Sequence, residues 1–340
     1  MSITRRMVSI IIVNWNGREH LEDCFTSLNK QTYTPLELIL IDNASVDGSV
    51  EYVKDCFPMV TVFVNPKNIG FGSAVNRGVE QAKGEYVLFL NNDLYLDEGC
   101  VEKMVDMIED EKIGAVIPKI LYFQERNRIN SFGNLINYLG LACPKYIDEE
   151  DRPQMQVEET ACGGILLVKR EIFKQVGGFD RDFFMYHEDH DLSWRIRLLG
   201  KKLMVNPEAV MYHKYHFSKN PKKFYYSEKN RLQLLLKNYQ AKTLLLIFPV
   251  FILIELAELC FALATGWFML KIKSYLEIVC LLPSILKKRR VVQTLRRIDD
   301  SEIVRLFVGS LQISGLKHPL LDRGLSPLLH FYWKLIKNGI

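Results

Sequence analysis

The chain has 340 residues, of which 48% are hydrophobic and 25% are charged, a composition that is typical of globular proteins and excludes a disordered chain. The formal net charge is only +4, but residues 271–340 contain thirteen Lys or Arg and five Asp or Glu. A basic segment on a near-neutral body indicates an anionic lipid surface or another polyanion as a partner. Nucleic acid is not expected as a partner, because the basic residues lie among long apolar runs and not beside exposed aromatic residues.

Seven cysteines are scattered along the chain, and none of them forms a Cys-x-x-Cys pair. This pattern argues against a disulfide framework and a zinc site, and it fits a reducing compartment. The apolar run 7–13 is too short for a secretory signal, and the polar segment 14–16 follows where a small-residue cleavage site should be. We therefore interpret this run as a first buried strand.

The N-terminal part of the chain alternates between β-branched apolar runs and helical periodicity. Strands are predicted at 8–13, 36–41, 60–65 and 86–90, and helices at 20–30, 48–57 and 73–83. Such alternation predicts an α/β fold with a doubly wound parallel sheet. Further along, the pattern predicts a buried strand at 163–168, a loop at 173–180 and a short strand at 202–206.

Polar side chains stand where the predicted strands end. They are Asn14, Asp42, Asn65 and the run Asn91, Asn92 and Asp93. Because ligands of doubly wound sheets bind at the carboxyl ends of the strands, we expect a site at this edge. A carboxylate at Asp42 could accept a hydrogen bond from a nucleobase N–H. Asp93 could bind a hard cation such as Mg²⁺ together with phosphate oxygens, or it could be a simple turn residue.

The segment 68–78 is a glycine-bearing loop that enters a helix. It misses the dinucleotide-binding pattern, because Val75 occupies the place of the third glycine, so a nicotinamide cofactor is not expected. The loop N–H groups and Arg77 could instead face a diphosphate.

The segment 185–195 places Glu188 and Asp189 between two histidines at the start of an apolar, helix-like stretch. Ionisable groups beside apolar surface are costly to bury unless they bind something or move protons. The alternative is that Asp189 or Asp191 only caps the following helix. Downstream, phosphate or metal contacts are possible for His213, His216, Lys214 and Ser218, and Arg231 could reach a phosphate or lie on a solvated helix face.

Two apolar runs, 244–254 and 259–270, lie on either side of Glu255 and Glu258. Neither run reaches the roughly 20 residues that a spanning helix needs. A single span would place both carboxylates at its middle, where each costs about 2.5–3.5 kcal/mol. We therefore predict a re-entrant or in-plane hairpin, followed from residue 276 by a basic amphipathic helix of the kind that lies on a membrane. The alternative is a soluble helical cap.

These features follow one another in a specific order. They are 8–17, 42–49, 68–78, 91–93, 163–164, 177–180, 188–195, His213 and Ser218. In this order they resemble the family 2 inverting glycosyltransferases with a GT-A fold, and most closely the rhamnosyltransferase-like members. The resemblance covers about residues 6–240 and implies a catalytic domain at 1–240 with a Rossmann-like, mostly parallel sheet flanked by helices. Residues 241–340 would form a helical region that associates with a membrane.

The resemblance also implies roles for individual residues. Asp189 would be the general base, and Glu188 would contact the acceptor or tune Asp189. Asp93 and His213 would bind Mg²⁺ or Mn²⁺. Asn91 stands where the family's metal motif has its first acidic residue, and an amide can coordinate a cation but adds no charge. The residues expected to hold the donor are Asn14, Asp42, Asn68, Asn76, Asn91, Asn92 and Arg231.

The predicted activity is transfer of a sugar, with rhamnose as one candidate, from a dTDP- or UDP-linked donor to a glycan hydroxyl in cell-envelope polysaccharide biosynthesis. The acceptor is expected to be lipid-linked, and the enzyme to work at the cytoplasmic face of a membrane. Two alternatives are a sugar nucleotidyltransferase, although segment 14–17 lacks the glycine-rich phosphate loop, and a non-catalytic sugar-binding scaffold on a degenerate transferase fold.

Overall fold

The computed structural model describes residues 5–214, 222–310 and 324–340. Its strands are β1 Val8–Asn14, β2 Leu36–Asp42, β3 Thr61–Val64, β4 Tyr86–Asn91, β5 Leu94–Leu96, β6 Ile113–Tyr122, β7 Ile129–Ser131, β8 Asn134–Asn137, β9 Ala142–Pro144, β10 Glu158–Glu159, β11 Leu167–Lys169, β12 Lys202–His213 and β13 Phe307–Val308. Its helices are α1 Arg18–Asn29, α2 Ser49–Cys56, α3 Phe71–Gln81, α4 Cys100–Ile108, α5 Arg170–Gln175, α6 Glu188–Leu198, α7 Lys222–Asn238, α8 Ala241–Ala264, α9 Phe268–Leu295, α10 Asp300–Val304 and α11 Ser326–Ile336.

The main sheet follows the order β10-β12-β6-β11-β4-β1-β2-β3, with β5 beside β12 and β7 beside β6. The first four strands are parallel, and their register places Asn14 opposite Asp42 and Val13 opposite Asn91. The later strand β11 lies antiparallel between β4 and β6. The predicted α/β architecture is confirmed, and the carboxyl ends of β1, β2 and β4 meet at one edge, where ligands of such sheets bind.

Two predictions between residues 163 and 180 are wrong in extent. The strand predicted at 163–168 is confined to Leu167–Lys169, because Gly163 and Gly164 weaken a strand and serve close packing instead. A Cβ at Gly163 would lie only 2.6 Å from the Ile117 side chain. Part of the segment predicted as a loop at 173–180 belongs to α5.

The strand predicted at 202–206 is also longer than expected, since β12 continues to His213. Its register with β6 shifts between Asn206 and Val210, and Pro207 lies inside this irregular stretch. A proline is tolerated in a strand at such a point because its missing N–H leaves no ladder position unpaired. The extension carries His213 to the sheet edge where β4 ends and β5 begins.

Buried apolar side chains cover both faces of the sheet, which explains the uninterrupted apolar strands. Neighbouring residues such as Ile10 and Ile11 belong to clusters on opposite faces. A third cluster joins α6 to α8 and α11 and includes Trp194, Tyr239 and Trp333. This cluster contains residues from both sides of the boundary predicted at 240, so the C-terminal helices pack directly on the sheet domain.

The C-terminal helices form a hairpin, but its turn is not where the sequence suggested. Glu255 and Glu258 do not interrupt α8, which runs without a break to Ala264, and the chain turns at Gly266 before α9. The two carboxylates are accommodated because they pair with the cations of Arg231 and Lys271. Among the described residues, α8 is the one helix long and apolar enough to cross a membrane.

Candidate active site

Four side chains interlock where β1, β2 and β4 end, and we call them the strand-end network: Asn14, Asp42, Ser45 and Asn92. The Asp42 carboxylate accepts hydrogen bonds from the Asn14 amide at 2.8 Å, and from the hydroxyl and the backbone N–H of Ser45 at 2.6 and 2.8 Å. The Asn14 side-chain oxygen accepts from the Asn92 amide at 2.6 Å. The structure thus brings together three residues that the sequence assigned to donor binding.

Asp42 itself does not present a carboxylate to a nucleobase in this arrangement. It is fully buried, and both of its oxygens accept hydrogen bonds from within the protein. Asp42 holds the turn that follows β2, as aspartates in such turns commonly do, and the expected contact with a base N–H stays a prediction. The network also explains Gly17, where a Cβ would lie 1.9 Å from the Asn92 amide nitrogen.

The glycine-bearing loop before α3 serves packing. The Asn68 side chain accepts a hydrogen bond from the Gly70 N–H at 2.9 Å and so shapes the loop. A Cβ on Gly70 would lie 2.2 Å from the Phe184 carbonyl oxygen. The buried Asn76 amide donates to the Phe179 carbonyl and accepts from the Phe179 N–H, each at 2.8 Å. Both polar groups of Asn76 thus have partners on Phe179, and its expected role in donor binding stays a prediction.

Two arginines that the sequence placed near phosphate have partners elsewhere. Arg77 donates to the Val64 carbonyl at 2.9 Å and to the Asn65 side chain, and so closes the end of β3. Arg231 is fully buried and donates to the Leu139 carbonyl at 3.1 Å. Its guanidinium also pairs with the carboxylates of Glu228, Glu255 and Glu258. Arg231 therefore ties α7 to α8, and its expected contact with the donor stays a prediction. His216 and Ser218 lie outside the described residues.

Asp93 and His213 meet at the edge of the sheet, as predicted, because β12 pairs with β5. The His213 Nε2 atom lies 3.2 Å from Asp93 Oδ2, and its Nδ1 atom lies 2.9 Å from the side-chain oxygen of Asn130. The other Asp93 oxygen is buried and has no hydrogen-bond partner. Buried polar atoms are rarely left unpaired, so this oxygen is suited to a ligand such as a cation. Carboxylate and imidazole are acceptable donors for Mn²⁺, and the carboxylate also suits Mg²⁺.

The turn that leads into α6, residues 185–189, is strained, and we call it the acidic turn. Tyr186 and His187 have φ angles of 67° and 64°, in the left-handed region that residues with a side chain rarely adopt. Such a conformation costs on the order of 1–3 kcal/mol per residue and persists only where the surroundings enforce it. Here Asn230 on α7 donates to the carbonyls of Met185 and Tyr186, each at 2.8 Å.

The acidic turn delivers Glu188 and Asp189 into a cleft of about 430 Å³. Asn91 at the end of β4 lines the same cleft, and a Cβ on Gly164 would lie 3.7 Å from Asp189 Oδ2. The remaining lining residues were not predicted from the sequence: Phe71, Leu141, Ala142, Tyr186, His187, His190 and Ser227. The structure therefore unites the predicted acid pair with Asn91 in one cavity.

The two acids of the cleft are not equivalent. Burial, together with the negative charge of Asp189, raises the pKa of Glu188 to about 8. One Glu188 oxygen is buried without a hydrogen-bond partner. Two carboxylates that share a site separate in this way, because both cannot ionise together at low cost. At neutral pH Glu188 is therefore a neutral acid, and the negative charge of the pair resides on Asp189.

Asp191, which the sequence left open as a helix cap, has a structural role. Its carboxylate pairs with Arg195 at 2.7 Å and with Lys237 at 2.8 Å. Arg195 also donates to the carbonyls of Val176 and Gly178. These contacts fasten α6 to α7 and to the turn after α5.

A larger cleft of about 640 Å³ lies between that turn and α9. Its charged groups neutralise one another, since Asp180 pairs with Lys237 at 2.6 Å and Asp182 with Lys288 at 2.6 Å. Of the residues predicted for the site, this cleft contains Asn76, which is occupied by Phe179. The smaller cleft at Asp189 is therefore the better candidate for the active site.

Some of the residues that sequence reasoning missed lie on α7. Ser227 and Asn230 face the acidic turn, and the helix around them is polar on sides that are nonetheless buried. A run of polar residues within a helix usually marks a solvated face. The polar sequence of α7 was therefore ambiguous, and only the position of this helix in the structure shows that Ser227 and Asn230 face the acidic turn.

Comparison with known proteins identifies the family of this chain. The sequence model described as "Glycosyl transferase family 2" matches residues 9–177, and one described as "N-terminal domain of galactosyltransferase" matches residues 150–218. The chain is 30% identical over 236 residues to an N-acetylglucosaminyl-diphospho-decaprenol L-rhamnosyltransferase of Mycobacterium tuberculosis. The aligned region covers 62% of this chain and 77% of that protein. The chain belongs to glycosyl transferase family 2.

Other relatives of this family 2 glycosyltransferase are more distant. A poly-beta-1,6-N-acetyl-D-glucosamine synthase of Staphylococcus epidermidis is 28% identical over 214 residues, 60% of this chain and 48% of that protein. A solved structure of GalNAc-T7 with UDP, GalNAc and Mn²⁺ has a TM-score of 0.56 at 19% identity and covers 71% of this chain and 49% of that one.

The mannosyltransferase PcManGT from Pyrobaculum calidifontis, in complex with GDP-Man and Mn²⁺, has a TM-score of 0.50 at 18% identity and covers 86% of both chains. At such identities the likeness shows the fold alone. It confirms the predicted GT-A fold, and the family match confirms a glycosyltransferase rather than a nucleotidyltransferase or a non-catalytic scaffold.

Proposed function

We propose that this glycosyltransferase is an inverting enzyme with Asp189 as its general base. It would transfer a sugar from a dTDP- or UDP-linked donor to a hydroxyl of a lipid-linked glycan. The observation that carries the proposal is that the acidic turn brings Glu188 and Asp189 together with Asn91 in one cleft, where burial and the charge of Asp189 raise the pKa of Glu188. The rhamnosyltransferase relative, whose name includes a decaprenol diphosphate, supports rhamnose and a lipid-linked acceptor.

In inverting transfer, an acceptor hydroxyl attacks the anomeric carbon opposite the leaving nucleoside diphosphate. The hydroxyl needs a base within about 2.6–3.2 Å that can take its proton as the bond forms. Asp189 is suited to this task because it lines the cleft and is only partly buried, whereas Asp191 is fully buried in ion pairs. Glu188, being a neutral acid, can donate a hydrogen bond to the acceptor without competing for the proton.

The leaving diphosphate needs its developing charge neutralised. We propose that Asp93 and His213 hold Mg²⁺ or Mn²⁺ for this purpose, and a bound cation would stabilise the departing phosphate oxygens. When Asn130 accepts from Nδ1–H of a neutral His213, the Nε2 lone pair faces the Asp93 carboxylate. A cation between these two groups would relieve that repulsion. Both solved transferase structures contain Mn²⁺, which supports binding of a divalent ion by this fold.

The donor is proposed to lie along the sheet edge between the loop at Asn68 and the cleft at Asn91. Asn14, Asp42 and Asn92 would support it indirectly, because their side chains fix the ends of three strands. A screen of dTDP-, UDP- and GDP-sugars by thermal shift, with and without Mn²⁺, would identify the donor. We expect stabilisation by a dTDP- or UDP-sugar that increases with Mn²⁺, and an NMR spectrum of the product with the opposite anomeric configuration. A retained configuration would refute the role of Asp189.

We further propose that the C-terminal helices place the enzyme on the cytoplasmic face of a membrane. Their outward side is apolar: Leu245 on α8 is 75% exposed, and Met269 on α9 is 74% exposed. Exposed apolar surface of this extent marks an interaction site. The other exposed apolar residues on these helices and α11 include Phe248, Leu256, Leu263, Leu276, Val279, Phe331 and Leu335.

Several basic residues near the C-terminal end of α9 have partners within the protein. Lys288 pairs with Asp182, and Arg289 donates to the carbonyls of Leu236 and Tyr239. Arg296 likewise pairs with Asp300. The cations left on the surface are Lys287, Arg290 and Arg297, which are exposed and could contact anionic head groups.

Vesicle flotation of the full chain tests the membrane proposal. We expect binding to vesicles that contain anionic lipid, and loss of binding when Leu245, Leu256 and Leu276 are all replaced by Gln. A matched variant with the exposed residues Met59 and Val157 replaced by Gln should float like the wild type. Failure of the wild type to bind any vesicle would contradict the proposal.

A further inference from the structure

Two histidines flank the acid pair, and the proposed mechanism does not use them. His190 Nε2 lies 3.7 Å from Asp189 Oδ2, and His190 Nδ1 lies 3.0 Å from His187 Nδ1. His187 Nε2 in turn lies 3.2 Å from the Ser227 hydroxyl on α7. The four side chains therefore form a chain of polar contacts from the proposed base to a neighbouring helix.

The direction of this chain follows from its first member. An ionised Asp189 can only accept hydrogen bonds, so in the arrangement that links all four side chains His190 turns an Nε2–H toward it. A neutral His190 ring then accepts at Nδ1, which requires an N–H on Nδ1 of His187. The remaining His187 nitrogen accepts from the Ser227 hydroxyl. In this arrangement each donor has one acceptor.

The surroundings favour this arrangement. Burial lowers the pKa of His187 well below its ordinary value, and the neighbouring His190 and Arg231 lower it further, so the His187 ring is neutral. From α7, Glu228 and Arg231 face His187 as an ion pair. From the segment before β11, the buried thiol of Cys162 faces Asp189, and burial raises its pKa well above the ordinary range.

On α6, the ionisable neighbours of His190 are Asp189 and Glu188. Glu188 is neutral at neutral pH. The negative group that the His190 ring faces is therefore Asp189. Its Nε2 atom is slightly beyond hydrogen-bond length, and catalytic contacts are often long without substrate and shorten in the complex.

We propose that His190 is a positioning residue for the general base, oriented by His187 and Ser227. The proposal rests on Asp189 being that base. The hydrogen bond from His190 would fix one carboxylate oxygen and leave the other for the acceptor hydroxyl. A positive charge on His190 would make Asp189 a weaker base, so the dependence of kcat on pH should differ between the wild type and a variant that cannot ionise at position 190.

Two substitutions separate this role from a merely structural one. His190→Gln keeps an amide that can donate to Asp189 and a carbonyl that can accept from His187, but it cannot titrate. His190→Leu removes both contacts at similar size. We expect His190→Leu to lower kcat on the order of 10²-fold, the effect of a misplaced catalytic group, with the donor KM unchanged. His190→Gln should restore most of the loss.

The pH profile of kcat provides the decisive readout. The decline of kcat toward low pH should change its midpoint in His190→Gln, while the exposed His330→Gln on α11 keeps the wild-type profile. Ser227→Ala should lower kcat less than His190→Leu, since it removes the end of the chain only. Wild-type kcat and profile in His190→Leu would overturn the proposal.

Asp189→Asn, assayed in parallel, distinguishes the two possible failures. If Asp189→Asn is inactive while the His190 variants behave like the wild type, Asp189 is the base and the histidine chain is irrelevant to it. If Asp189→Asn itself turns over normally, the proposed base is wrong. Thermal unfolding of each variant shows whether a loss of activity reflects a loss of folded protein.

Discussion

The strand-end network and the acidic turn lie at one side of the same sheet, yet their polar groups are in opposite states. In the strand-end network, Asp42 and Asn14 are fully buried and have hydrogen-bond partners within the protein. In the cleft, Glu188 keeps a buried oxygen without a partner, and Asp93 nearby on the sheet edge does the same. Buried polar groups that are satisfied build the site, whereas those left unsatisfied are available to a ligand.

The comparison is sharpest at Asp189. Asp189→Asn removes the charge that would take the acceptor's proton, so we expect kcat to fall by about 10²–10⁴-fold with donor binding retained. Turnover and donor affinity should be measured on the same preparation. Asp106→Asn, an exposed carboxylate on α4, should behave like the wild type. Near-normal turnover of Asp189→Asn would show that the charge at this position has no part in the reaction.

Asp93 should show the next largest effect. Asp93→Asn keeps the shape of the side chain and removes the charge toward His213, so stabilisation by Mn²⁺ in thermal unfolding should be lost. Activity at saturating Mn²⁺ should fall with it. Asp97→Asn, an exposed carboxylate just after β5, should keep the metal response. If Asp93→Asn still responds to Mn²⁺ like the wild type, the cation binds elsewhere.

Asn76 tests the role of a buried polar group that already has hydrogen-bond partners within the protein. Asn76→Ala leaves the N–H and the carbonyl of Phe179 without their partners, and each unpaired buried group costs about 1–3 kcal/mol. Chemical denaturation should therefore show reduced stability, while the donor KM stays unchanged. Ser73→Ala on the same helix is the control. A raised KM with unchanged stability would support a role of Asn76 in donor binding.

Glu188 should give the smallest effect, visible in the pH dependence of stability. Its pKa of about 8 in the folded protein lies above its ordinary 4.5, so between these values the folded state holds a proton that the unfolded state releases. Stability from this group therefore decreases as pH rises through that window. Glu188→Gln should melt a few degrees higher than the wild type above about pH 8 and similarly near pH 5. Parallel melting curves for both proteins at all pH values would contradict the raised pKa.

The sequence predicted much of the polar edge of the sheet, because parallel strands bring their carboxyl ends together regardless of the loops that connect them. Asn14, Asp42 and Asn92 meet at this edge for this reason, whereas the pairing of Asp93 with His213 was implied by the family resemblance. Sequence reasoning did not foresee the partners of Asn76 and Arg231, since nothing in their local pattern reveals that these side chains contact Phe179 and three carboxylates. It also misplaced the hairpin turn, because Glu255 and Glu258 look disruptive until their partners are known.

The amino-acid pattern alone determined the alternation of strands and helices, the edge at which a site would form and the acid pair at the start of α6. These follow from local periodicity and from the distinct chemistry of carboxylates. The tertiary structure decided which polar groups are free to act, since a hydrogen-bond partner can come from a residue far along the chain. Asn230 holds the acidic turn from α7, and Lys271 from α9 neutralises the buried carboxylates, and neither contact is written in the sequence near its partner.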